Sequence, residues 1–392
     1  MVPAPFPDLL ALYETELLQH CVPFWLRHAV DWEHGGLLTC LRDDGSVIST
    51  DKYLWSQLRA LWTFSALYNR VRPDPMFLRV ADNLFGFVLA HGRDPEGQWV
   101  FHLDQDGNIV EGATSIYADG FAIYGLTEYA RATGNEQAIA TALQTYDSVR
   151  ARLAVPGSYQ TAPYTIPDGA IAHGIAMIFS HVFDELGLYL GDPAIRAEAL
   201  ALADQVMDLF RHPERRLLFE YVAPDGTLLD RPEGRVVNPG HVIESMWFMI
   251  HLYRDRGFAT RVDQAVETIG WALEAGWDEE YGGIYHAIDP TGEPPAWPFP
   301  QAKLWWPHTE ALYALLLAYE CSGEAWCLEW YDRVHDYAFS HFPDREHGEW
   351  RQRLDRQGQP ITEVVALPVK DPFHLPRALI YCRDVLQRLA EG

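Results

Sequence analysis

GQWVFHLDQDG, residues 97–107, alternates apolar and polar side chains and then stops at Asp106-Gly107. Alternation with a period of two, running into Asp-Gly, predicts a small β-hairpin. Five further stretches end in the same kind of acidic or Pro-containing turn closed by Gly: HGGLLTCLRDDG (34–45), SYQTAPYTIPDG (158–169), RRLLFEYVAPDG (215–226), GGIYHAIDPTG (282–292) and GEWRQRLDRQG (348–358). SYQTAPYTIPDG is the weakest match. The closing glycines are spaced by 62, 62, 57, 66 and 66 residues. A period of this size marks a solenoid or a closed array.

Two helical stretches lie between successive hairpins. They are Lys52–Asn69 and Asp74–Ala90, Ile116–Ala132 and Glu136–Leu153, Ala170–Leu190 and Pro193–Phe210, His241–Arg256 and Val262–Ala275, then Trp305–Cys321 and Ala325–Phe342. The sixth hairpin leads only to His374–Leu389, and Leu9–His28 at the other end of the chain supplies the missing partner. Twelve helices in six pairs predict an all-α fold, an (α/α)6 barrel with six inner and six outer helices and short hairpins at one end. The first helix of each pair is the more apolar all round, as in GFAIYGLTEYA and TEALYALLLAY, as an inner ring should be. Length alone suggests two or three domains. No Pro/Ser-rich linker breaks the register, so residues 1–392 are expected to form a single barrel domain.

The chain is 48% hydrophobic with 14 Trp, 19 Tyr and 18 Phe, enough for a large core and for rings that stack on sugars in a cleft. A formal net charge of −25 repels nucleic acid and anionic membrane. The longest apolar runs, such as Ala311–Tyr319, are too short to span a bilayer. Cys21, Cys40, Cys321, Cys327 and Cys382 form no CxxC and leave one unpaired, which suits a reducing cytosol. The N-terminal MVPAPFPDLLALYETELL lacks a basic start and carries Glu14 and Glu16, unlike a signal peptide. The expectation is a cytoplasmic protein without nucleic-acid or membrane partners, with a homodimer as the default assembly.

If the hairpins share one end, the starts of the six inner helices converge on a single mouth. The unusual polar residues sit there: Tyr53, Trp55 and Arg59; Tyr117 and Asp119; His173; His241 and Glu244; Trp305, Trp306, His308 and Glu310; His374 and Arg377. In Asn238–Trp247, Pro239 and Gly240 open a helix, and His241 and Glu244 share one face of its first turn. An imidazole beside a carboxylate is a ready general acid/base pair. There is no Walker loop, no GxGxxG after a strand, no GxSxG and no HExxH, so nucleotide-dependent hydride or phosphoryl transfer has little support. His-x-x-Glu and His-x-Glu are weak metal signatures, and no catalytic metal is expected. Glycoside hydrolysis needs two opposed carboxylates, for which Glu244 and Glu310 are candidates. Histidines on different helices fit another chemistry better, removal of the C2 proton of an open-chain aldose. Arg59 is then the candidate cation for the enediolate oxygen. Return of the proton to the opposite face of C2 epimerises the sugar, whereas return to C1 gives a ketose.

The segments TDKYLWSQLRALWTFSALYN (50–69), NPGHVIESMWF (238–248), KLWWPHTEALYALLLAY (303–319) and FHLPRAL (373–379) resemble the N-acylglucosamine 2-epimerase superfamily. That family includes cellobiose and mannose 2-epimerases and aldose–ketose isomerases of mannose-type sugars. The resemblance implies an (α/α)6 barrel, a small sugar substrate and no consumed cofactor. It implies His374 as the essential acid/base, His241 as the second catalytic His, Glu244 as the carboxylate beside it and Arg59 as the holder of the carbonyl oxygen. Trp55, Tyr117, Trp306, Glu310 and Trp350 correspond to residues that stack on or bond the sugar. Tyr53 and His173 are added as candidate substrate contacts, Trp305 reads as a buried wall, and His308 reads as structural. The cyanobacterial and animal N-acylglucosamine epimerases have a Lys- and Gly-rich approach to the last His where this chain has Val-Val-Ala-Leu-Pro-Val-Lys-Asp-Pro at 364–372. They carry an apolar Ala-Val-Pro segment where it has Ala170–Gly174. These departures bear on the N-acetyl pocket and on the nucleotide activation some members show. N-acylglucosamine 2-epimerisation is the leading expectation, ahead of aldose–ketose isomerisation or 2-epimerisation of free mannose. A glycoside hydrolase and a non-catalytic sugar-binding protein are the readings from other classes.

Overall fold

The six glycines that close the repeats all take left-handed backbone, with φ between 73° and 87°. Glycine adopts that region without strain, which is why every copy ends on it. In five of the six the Gly N–H donates to the carbonyl three residues back, as Gly107 does to Asp104 and Gly358 to Asp355. The computed structural model describes residues 5–362, 364–365 and 367–391. Met1–Ala4 of the N-terminal stretch lie outside the described residues, as does Ala366.

Among the described residues, twelve long helices follow in the predicted order. They are α1 (6–28), α2 (54–71), α3 (Pro75–His91), α4 (Ile116–Thr133), α5 (Glu136–Leu153), α6 (His173–Leu190), α7 (193–210), α8 (Pro239–Asp255), α9 (Ala259–Gly276), α10 (Trp305–Ser322), α11 (Ala325–His341) and α12 (His374–Glu391). Helices α1, α2 and α7 each contain a π-helical stretch, at Glu16–Cys21, Leu67–Val71 and Val206–Phe210. The even-numbered helices α2 to α12 form the inner ring, and α3, α5, α7, α9, α11 and α1 pack outside them. Helix α1 lies against α12, where Arg383 donates to Glu14 at 2.8 Å, and the Tyr13 and Tyr331 hydroxyls meet at 2.7 Å. The N-terminal helix therefore completes the sixth pair. Beneath the mouth the ring is plugged by aromatics: Trp62 stacks on Tyr124 at 5.1 Å, and Tyr381 meets both Trp62 and Trp247 edge-on. No helix among the described residues is long and apolar enough to cross a membrane.

The strands differ from the expectation in one respect. Cross-turn bridges form within three of the hairpins, at Leu41–Val47, Leu103–Ile109 and Leu354–Pro360. The more regular pairing joins successive repeats. The segment entering each inner helix pairs with the hairpin of the next repeat: Lys52–Tyr53 with His102–Leu103, Ser115 with Thr161, Ile171–Ala172 with Tyr221–Val222, Val237 with Ile288, and Lys303–Leu304 with Arg353–Leu354. The circle closes where Lys370 N–H donates to the Thr39 carbonyl at 2.7 Å. Each hairpin thus satisfies backbone groups at the mouth of its neighbour. That stitching sets the helix starts in a ring at one end.

Candidate active site

Two helix caps position the central histidines. The Asn238 side chain accepts the His241 N–H at 3.1 Å at the start of α8, and Asp371 accepts the His374 N–H at 3.1 Å at the start of α12. Caps of this kind contribute about 1 kcal/mol each. Both imidazoles open onto one cleft of about 1200 Å³, mouth included, to which all six inner helices contribute. Trp55 and Arg59 come from α2, Tyr117 and Phe121 from α4, Met177 from α6, His241 and Glu244 from α8, Trp305 and Trp306 from α10, and His374 from α12. Trp306, on the helix between theirs, touches both imidazoles, with ring centroids 5.3 Å from His241 and 5.5 Å from His374.

Each imidazole is anchored through Nδ1. His374 bonds Glu310 Oε1 at 2.8 Å, and His241 bonds Glu220 Oε2 at 3.0 Å. An ionised carboxylate can only accept, so this contact favours a proton on Nδ1. Their electrostatics diverge. Burial, with the Arg59 guanidinium close by and Arg377 beyond it, pushes His374 down to about 3 despite Asp371 and Glu244. Burial also works against the charge on His241, but the Glu220 and Glu244 carboxylates outweigh it and raise its pKa. Glu220 in turn is buried, yet the charge and hydrogen bond of His241 hold it well below the usual carboxylate range. Arg59 donates to Asp371 at 3.2 Å and lies over the rings of Phe121, Trp55 and Phe373. Its Nε, buried, has no partner among the described residues. Arg377 bonds both Glu244 and Glu310. Glu244, Glu310 and His374 bring potential ligand atoms within 4.8 Å of one another, and the Arg377 guanidinium is the cation between the two carboxylates.

The structure brings together His241, His374, Arg59, Glu244, Trp55, Tyr117 and Trp306 in the cleft, with Trp305 beside them. Four expected sugar contacts lie elsewhere. Trp350 is fully buried, donates its indole N–H to Glu16 on α1 and stacks on Phe342, so it belongs to the outer packing. Tyr53 stacks on His102 at 4.4 Å in the strand layer. His173 is sealed behind Glu220, 3.9 Å from its carboxylate. Glu310 sits behind His374, holding its Nδ1 and the Trp247 indole N–H. Asp119 pairs with Arg152. His308 is structural: its Nδ1 bonds the Leu304 carbonyl at 2.6 Å and its Nε2 accepts the Ile284 N–H at 2.9 Å.

Other cleft residues escaped the sequence reading. Glu220 stands in an otherwise apolar run, Leu217–Val222, and a lone carboxylate there was the available signal. Asp371 precedes His374 by three residues, the spacing of a cap. Trp297 and Tyr164 stack at 5.2 Å across the rim, and Trp297 donates to His286 at 3.1 Å. Neither carries a local signal, because the stack joins loops 133 residues apart. Arg353 reaches the cleft while donating to the Leu367 and Val369 carbonyls of the approach to α12.

The family model described as N-acylglucosamine 2-epimerase (GlcNAc 2-epimerase) matches residues 36–378. The chain is 30% identical over 382 residues to the N-acylglucosamine 2-epimerase of Bos taurus, covering 95% of this chain and 90% of the bovine protein. Among solved structures, cellobiose 2-epimerase from Bacillus thermoamylovorans superposes with a TM-score of 0.84 at 22% identity, covering 97% of this chain and all of that one. A D-mannose isomerase superposes with a TM-score of 0.80 at 18% identity, covering 99% of this chain and 100% of that one. The two solved structures share the barrel.

Proposed function

This chain belongs to the N-acylglucosamine 2-epimerase family of carbohydrate epimerases and isomerases, and from that premise we propose that it interconverts N-acetylglucosamine and N-acetylmannosamine. The observation that carries the reading is a pair of imidazoles from two different inner helices that open onto one cleft and whose surroundings pull their proton affinities apart. Groups separated in this way divide into acid and base. In the open-chain sugar, His374, neutral with its Nε2 lone pair free, takes the proton from C2. The C–H electron pair moves into a C1–C2 enolate, which keeps the acetamido nitrogen on C2 and whose O1 is stabilised by Arg59. His241, protonated, returns a proton to C2 from the other face and inverts the centre. Trp306 and Trp55 supply apolar faces for the sugar, and Glu244 serves the ring-opening step from beside His241. The bovine relative's name supplies the substrate.

The test is NMR of N-acetylmannosamine incubated with the protein in D₂O. The expected result is N-acetylglucosamine with deuterium at C2 of both epimers. Conversion of mannose to fructose, with N-acetylmannosamine untouched, would move the assignment to aldose–ketose isomerisation. Release of a reducing end from a glycoside without label at C2 would replace it with hydrolysis.

A further inference from the structure

We propose that Glu220 is a positioning residue for His241, fixing the proton on its Nδ1 so that Nε2 presents the transferable proton to the cleft. The proposal rests on the epimerase reading for its consequence, though its structural content stands alone.

Three observations carry it. The Glu220 backbone is clamped on both sides: its N–H donates to the Val236 carbonyl at 2.9 Å and its own carbonyl accepts the His173 N–H at 2.9 Å. The residue is therefore tied to the first turn of α6 and to the strand entering α8. Its carboxylate, 5% exposed, has little freedom to leave the 3.0 Å bond with His241 Nδ1. Finally, Gly174 leaves the room that this corner needs. A Cβ there would lie 2.8 Å from the Tyr117 hydroxyl and 3.9 Å from Glu220 Oε1.

The charged and titratable groups facing His241 come from several elements. Glu244 lies on its own helix, Arg59 on α2, His173 on α6, His286 on the loop after α9, and His374 across Trp306 on α12. Arg59, His173 and His286 offer no negative charge, and Glu244 has its own bond to Arg377. Glu220 is the carboxylate in direct contact with the ring. Loss of its charge should therefore move His241 more than loss of any of the others.

The experiment is NMR titration of ¹⁵N-histidine-labelled protein without substrate, in the wild type and in Glu220→Gln. The amide keeps the shape and one acceptor oxygen but removes the charge. The His241 midpoint is expected to fall by about 1–3 pH units, the range for losing an opposite charge at contact distance. The basic limb of the kcat/KM profile should fall by the same interval. An unmoved midpoint overturns the proposal. Should the variant fail to fold, the wild-type spectra decide. Neutral His241 carrying its proton on Nδ1 supports the proposal, and a proton on Nε2 overturns it. Because the titration needs no turnover, a shifted midpoint in a protein that exchanges no C2 deuterium would reject the epimerase reading and leave this one intact.

Discussion

Gly240→Ala is the smallest change that should disturb both imidazoles at once. A Cβ on residue 240 would lie 2.5 Å from Cη2 and 2.6 Å from Cζ3 of Trp306, and 2.9 Å from Cγ of Pro307. Ordinary contact begins at 3.4 Å, so the indole must retreat by roughly 0.9 Å, and displacements of about 1 Å at a reacting geometry cost on the order of 100-fold. The retreat cannot be private to Trp306, because its ring touches His241 on one helix and His374 on another. Overpacking of this kind costs about 1–3 kcal/mol of stability, below the roughly 5–15 kcal/mol typical of a folded domain. The expected outcome is kcat for epimerisation down by about two orders of magnitude with the barrel still folded. Gly86→Ala is the matched control. A Cβ there meets nothing within 4 Å, and the position is inside α3, so alanine should stabilise by about 1 kcal/mol without touching turnover. A Gly240→Ala enzyme with kcat within about threefold of wild type would refute the claim that Trp306 sets the imidazole geometry.

Replacing His374 with Asn should lower turnover at least about 100-fold, the scale of one general acid/base, with unchanged far-UV circular dichroism; wild-type exchange of C2 deuterium in that variant removes His374 from the chemistry. The buried lysines Lys52 and Lys303 bind Asp31 and Asp278 in equivalent places of two repeats, at 3.0 and 3.1 Å. Asp278 also holds Arg356 at 2.8 Å, whereas Lys52 is the cation on Asp31 with His34 alongside at 3.4 Å. Lys52→Met should therefore cost about 3–5 kcal/mol in urea unfolding, and Lys303→Met about 1.5–3 kcal/mol; the reverse order would refute the argument. Burial depresses His251, His308 and His374 to about 3 and His286 to about 4 in the folded chain. Their stabilising contribution is complete above the ordinary histidine value of about 6.5 and is lost as pH falls through the folded values, because only the unfolded chain takes up the protons in that window. Tm should fall continuously from about pH 6.5 toward pH 3–4, and a flat Tm across that interval would contradict it.

The parts of this molecule that were legible in the sequence are those written by local chemistry. The turn glycines announce themselves because left-handed backbone excludes other residues, and their spacing gave the number of repeats. Helix starts were legible through caps such as Asn238-Pro239, and the convergence of six starts followed from the repeat. The illegible parts depend on pairings across the chain. Trp350 lies in a repeat position facing outward, where α1 brings Glu16 to it from 334 residues away. Glu220 meets His241 because its N–H bonds the Val236 carbonyl on the strand entering α8 while its hairpin also pairs with the strand of the preceding repeat, a register that no spacing between residues 220 and 241 encodes. His173 shares the first turn of an inner helix with real cleft residues, yet the same hairpin covers it.

The difference in proton affinity between the imidazoles does have a local component. Each is the first titratable residue of a capped inner helix, and each is tethered through Nδ1 to a carboxylate from another segment. If the tethers alone set proton affinity, the two rings would behave alike. They differ in their surroundings, and part of that difference lies three residues on, one turn along the same face: Glu244 after His241, Arg377 after His374. Glu244 adds negative charge toward His241. Burial and the Arg59 guanidinium weigh most against charge on His374; Arg377 adds a smaller positive contribution and also bonds Glu310. Burial and Arg59 acting on His374, and the Glu220 and Glu244 carboxylates acting on His241, thus give chemically identical side chains on neighbouring walls of one cleft different proton affinities, the asymmetry that the proposed inversion at C2 requires.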